Sequence, residues 1–66
     1  MPINRNLLVI MDAYVKSYED VPNKKQLPLI AEIRAICKGG IQLIDLGGMP
    51  GITEEELIKK CNLLKR

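Results

Sequence analysis

Two cysteines, Cys37 and Cys61, are the strongest nucleophiles this sequence offers. A catalytic thiol needs a neighbouring base, most often histidine, and the chain contains no histidine. The same absence removes the commonest general base, the commonest metal ligand and the usual switch near neutral pH. The carboxylates Asp12, Glu19, Asp20, Glu32 and Asp45 are interspersed with lysines and arginines rather than paired, and are read as solvated charge. A glycosidase-type acid and base must face each other across a cleft, for which a helical chain of 66 residues has little room. Two glycine runs, Gly39-Gly40 and Gly47-Gly48-Met49-Pro50-Gly51, invite comparison with phosphate cradles, yet neither fits G-x-x-x-x-G-K-S/T or G-x-G-x-x-G. The second run leads into a helix whose first residues, Glu54-Glu55-Glu56, would repel an anion. No catalytic, cofactor-binding or metal-ligating residue is assigned, and no cofactor is expected. Both cysteines fall at apolar helical positions and are expected to be buried free thiols, with a disulfide as the alternative.

Ten Lys and Arg against eight Asp and Glu leave a net charge of +2, short of the basic footprint of a dedicated nucleic-acid binder. The basic residues are dispersed except for Lys59, Lys60, Lys65 and Arg66. Those four are the candidate nucleic-acid contacts. A helix-turn-helix can be laid on the chain in two registers. With Lys38-Gly39-Gly40 as the turn, the recognition helix is Ile41 to Leu46, which offers only Gln42 and Asp45 to the bases. With Gly47 to Gly51 as the turn, the recognition helix begins with three glutamates. Both registers place the wrong chemistry against DNA.

The elements that must position these side chains are helices. From about Asn6 to Glu19, Leu7, Ile10, Met11, Tyr14 and Tyr18 recur at helical spacing, with Leu8 and Val15 widening the stripe and Asn4 or Asn6 as cap. Val21-Pro22 then forces the chain out of helix. A second helix is predicted from Leu27 or Pro28, because proline fits the first turn, and it should stop at Lys38-Gly39. Ile41 to Leu46 is too short for periodicity to decide; a short helix is preferred to a strand because no partner strand exists. Thr53-Glu54-Glu55-Glu56 is a capping box flanked by Ile52 and Leu57 at staple spacing, which predicts a last helix from about Glu54 to Leu64. The expected architecture is a single all-α domain over residues 1–66, with three longer helices and one short one.

The side chains are 47% hydrophobic and almost wholly aliphatic, with 21 Leu, Ile and Val, two Tyr and no Phe or Trp. That exceeds what so small a domain can enclose, since a chain of this length buries only about 60% of its unfolded surface. Helix one is apolar around more than half its circumference, which marks a helix that is central or shared with another chain. Leu7, Ile10, Met11, Tyr14 and Tyr18 are the candidate partner interface. The apolar run Leu7 to Met11 is too short for a signal peptide, and no run approaches the roughly 20 residues of a membrane span. The expectation is a cytoplasmic, non-enzymatic regulatory or adaptor protein that docks on a protein partner or forms a homodimer, without metal or membrane contact. The alternative is a dimeric DNA-binding transcription regulator.

Overall fold

A computed structural model describes residues 3–20 and 24–65. The expected exit at Val21-Pro22 and the basic side chain of Arg66 lie outside them. Among the described residues there are three α-helices: α1 (Arg5–Lys16), α2 (Leu27–Asp45) and α3 (Glu54–Cys61). The all-α class is as the sequence implies.

Helix α1 starts where Asn4, in extended conformation, accepts the Leu7 N–H on its side-chain oxygen at 3.1 Å. It ends as the Ser17 hydroxyl donates to the Tyr14 carbonyl at 2.6 Å and the chain tightens into a 3-10 turn over Ser17–Asp20. A second 3-10 turn, Lys24–Gln26, feeds α2, with Pro28 in the first turn where its missing N–H costs nothing.

The expected stop at Lys38-Gly39 does not occur. Helix α2 runs through Gly39-Gly40 to Asp45, so the separate short helix over Ile41 to Leu46, and its strand alternative, are the last part of α2. Each glycine costs a helix about 1 kcal/mol relative to alanine. What outweighs that cost is packing. A Cβ on Gly40 would lie 2.9 Å from Cδ1 of fully buried Leu8, so the glycine lets α1 approach α2 closely. Beyond the pair, Ile41 and Ile44 pack on the core and reward continuation. The real stop is Gly47, with φ of +87°, where the Gly48 N–H donates to the Leu43 carbonyl (2.8 Å) and the Gly47 N–H to that of Ile44 (2.9 Å). That is a Schellman cap.

Helix α3 begins at Thr53, whose hydroxyl accepts the Glu56 N–H at 3.2 Å. Glu56 does reach back, but to the Thr53 hydroxyl rather than to its backbone. The helix closes at Cys61, earlier than expected, and a turn carries Leu64 into the core.

Helices α1 and α2 are antiparallel: Arg5 pairs with Asp45, Leu8 with Gly40, and Asp12 with Arg34. Leu8, Val15, Ile30, Ile33, Cys37 and Leu57 form the centre of one core that α3 closes from the side. Gln26, buried at the rim, uses its side-chain amide as a two-way clasp. Its Nε2 donates to the Lys65 carbonyl and its Oε1 accepts the Lys65 N–H, tying the end of the chain to the start of α2.

Candidate functional site

The apolar stripe of α1 is rotated from the one its sequence suggests. Leu8 and Val15, expected at the margin, are its fully buried centre. Leu7 and Met11 are half-buried beside them, and Tyr18 is buried on the 3-10 turn. Ile10 (62% exposed) and Tyr14 (44%) face solvent. The five candidate interface residues therefore divide: three brace the core, and two stand outside it. Leu8 seats against Gly40 of α2 and, with Val15, fills the core, which turns Ile10 and Tyr14 outward, while Asp12 pairs with Arg34 at 3.1 Å beside that seam.

Exposed Asn6, Val9, Ile10, Ala13, Tyr14 and Ser17 form the outer arc of α1, and none carries a charge. Tyr14 is held within it. Its ring packs edge-on against Tyr18 with centroids 5.2 Å apart, and the two hydroxyls are 2.8 Å apart. An aromatic ring fixed by a buried neighbour loses little further freedom when a partner covers it, which suits it as a binding anchor.

The apolar surplus is plain in the structure. Of the twenty Leu, Ile and Val among the described residues, Val21 lying outside them, seven are buried.

Four of the five carboxylates expected to be merely solvated, Asp12, Glu19, Glu32 and Asp45, instead join elements of the fold. Arg5 bridges to Asp45 through Nε (2.8 Å) and a terminal nitrogen (3.2 Å). Hydrogen bonding by Arg5 lowers the pKa of Asp45 and raises that of Arg5. Arg34 binds Glu19 at 2.6 Å as well as Asp12, and both raise its pKa. These contacts were invisible in the sequence because partners lie up to 40 residues apart.

Among the four candidate nucleic-acid contacts, Lys60 binds Glu32 of α2 at 3.3 Å. Lys59 and Lys65 are exposed, and the Lys65 backbone is held by Gln26. The structure gathers no basic cluster from the described three. The register with Lys38-Gly39-Gly40 as a turn is overturned, because those residues are helical. The other register retains its three leading glutamates.

Both cysteines are free and buried, as expected. Burial pushes the Cys37 thiol up to about 11, with the nearby Asp12 charge and Cys61 adding to it, and burial also raises Cys61. Cys61 Sγ rests 4.0 Å from Met11 Sδ. Such thiols are protonated and shielded, which suits packing rather than nucleophilic attack. A surface depression of about 640 Å³ is lined by Leu27, Ile30 and Arg34 among others, and the Arg34 side chain there is already bonded to carboxylates. Among the described residues no His, Cys, Asp and Glu group is arranged to hold a metal ion, and no helix is long and apolar enough to cross a membrane.

Comparison with protein-family models, curated proteins and solved structures returns no match.

Proposed function

We infer that this chain is a small non-enzymatic regulatory or adaptor protein that works through protein–protein contact, with the outer arc of α1 as its docking face. The observation that carries the reading is the uncharged, solvent-facing strip Val9, Ile10, Ala13 and Tyr14, in a chain that is 27% charged. Monomeric surfaces intersperse charge along exposed helices, and a contiguous apolar strip marks a contact site. The braced Tyr14 ring supports this reading, since tyrosines of that kind dominate binding energy at interfaces. The shielded thiols and the absence of histidine argue in the same direction, away from covalent or acid–base chemistry. Transcription regulation by DNA binding is the weaker reading, because α3 leads with glutamates and Lys60 is engaged by Glu32.

A photo-crosslinking residue in place of Ile10, in the full chain expressed in its native host, tests the assignment. A discrete adduct to one protein is expected, lost when Tyr14→Asp is added and absent when the same probe replaces exposed Asn62. Equal labelling from both positions, or none from position 10, overturns it. So does duplex DNA binding whose affinity falls with log salt at about −0.9 per phosphate contacted, over three or more phosphates.

A further inference from the structure

Each of the three helices brings one sulfur atom to the same layer of the core. Cys61 Sγ, on the last residue of α3, rests 4.0 Å from Met11 Sδ on α1. Cys37 on α2 lies at their level. The contacts Leu8–Gly40 and Asp12–Arg34 bracket one stretch of the seam between α1 and α2, and both Met11 and Cys37 fall inside it. Cys37 is fully buried, Cys61 is buried, and Met11 packs against the same core cluster. The charge of Cys61 is felt at Cys37, so the two thiols lie within electrostatic reach of each other.

Two thiols and a thioether make a donor set of a particular kind. Thiolate and thioether sulfur are soft, and they select monovalent copper over ions that prefer nitrogen or oxygen. Histidine, which the chain lacks, is not needed for such a site. A structural zinc site takes four ligands. Among the described residues no three of His, Cys, Asp and Glu are placed to start one. Asp12, whose charge also reaches Cys37, is held by Arg34 at 3.1 Å. Three sulfurs suit a cuprous ion, which accepts trigonal coordination. At a metal–thiolate distance of about 2.3 Å, the sulfurs of a planar trigonal site stand about 4.0 Å apart. Met11 and Cys61 already have that separation.

We propose that Met11, Cys37 and Cys61 bind one cuprous ion at the junction of the three helices. As each thiol sulfur bonds the metal, its proton passes to solvent, while the thioether lends a lone pair with no change of charge. One cation and two thiolates leave a single net negative charge. A third thiolate in place of Met11 would double it, which a dry core opposes. The half-buried Met11 side chain offers the way in. Cys61 ends α3, where a helix frays most readily. Once bound, the ion ties α3 to the α1–α2 pair. The site uses none of the exposed residues of the α1 arc and does not depend on its docking role.

The test is anaerobic titration of the reduced full chain with cuprous ion, supplied as its acetonitrile complex, in competition with the chelator bathocuproine disulfonate. One ion per chain should be retained, with ultraviolet thiolate-to-copper charge-transfer absorption and loss of both thiols to a thiol reagent. X-ray absorption should show three sulfur neighbours at about 2.3 Å. The melting temperature should rise on binding, because the ion holds only the folded chain in this way. Met11→Leu conserves volume and should keep the helical circular-dichroism spectrum. It should cut the shell to two sulfurs and weaken retention at least tenfold. Cys37→Ala should abolish the one-to-one complex, and zinc offered in place of copper should be held far more weakly. Failure to retain cuprous ion overturns the proposal. So does a three-sulfur shell that survives Met11→Leu, a complex with two chains per ion, or zinc held as tightly as copper.

Discussion

Substituting the adjacent glycines of α2 one at a time separates what the helix wants from what the core allows. Gly39→Ala and Gly40→Ala receive the same benefit from helix propensity, about 1 kcal/mol each. Around Gly39 there is nothing within 4 Å, so that gain is realised in full. At Gly40 the new Cβ sits 2.9 Å from Leu8 Cδ1, and Leu8 is fully buried and has nowhere open to move. Overpacking of this kind costs about 1–3 kcal/mol. Because propensity cancels between the two variants, their difference isolates the packing term. Gly39→Ala should be the more stable by about 1–3 kcal/mol. For a domain of this size each kcal/mol moves Tm by about 4–8 °C. The assay is thermal and urea unfolding followed by circular dichroism, at a concentration low enough to keep the chain monomeric. In a Leu8→Val background, which removes the clashing Cδ atom, Gly40→Ala should become as favourable as Gly39→Ala. Equal stabilisation by both substitutions in the unaltered background would refute the close approach of α1 to α2. Destabilisation by Gly39→Ala would show that α2 ends at the glycine pair after all.

Two other perturbations probe the cap and the core. Thr53→Ala should cost about 1 kcal/mol by leaving the Glu56 N–H without its acceptor, while Thr53→Ser keeps the hydroxyl and should cost far less; equal losses in urea unfolding would mean that the cap does not form. The Cys37 thiol, raised from an ordinary 9.0 to about 11 by burial, holds its proton more tightly folded than unfolded. Its contribution to stability is therefore complete below pH 9.0 and is lost as pH rises through about 11. The stability advantage over Cys37→Ala should shrink across that window, and an advantage constant through it would contradict a buried thiol at this position.

The sequence by itself determined the local grammar. Asn4, Thr53 and the proline at position 28 start helices through short-range hydrogen bonds and fixed dihedrals, and such signals act within a few residues whatever the rest of the chain does. The all-α class followed from the same signals, and so did the buried state of both cysteines, from their apolar spacing. The tertiary structure decided everything that depended on a partner far along the chain. Gly39-Gly40 carries a local stop signal, and the fit of Leu8 against Gly40 together with the packing of Ile41 and Ile44 on the core carries α2 past it to Gly47. The arc of α1 that faces solvent was set by packing, since Leu8 seats on Gly40 and fills the core with Val15, leaving Ile10 and Tyr14 outside. Gln26 offers an amide that the sequence reads as part of a helix start, and it became a clasp because the Lys65 backbone arrives beside it. Periodicity shows that a helix has an apolar side wider than it can bury. Which part of that side stays exposed is settled by the residues that pack against it, and those come from elsewhere in the chain.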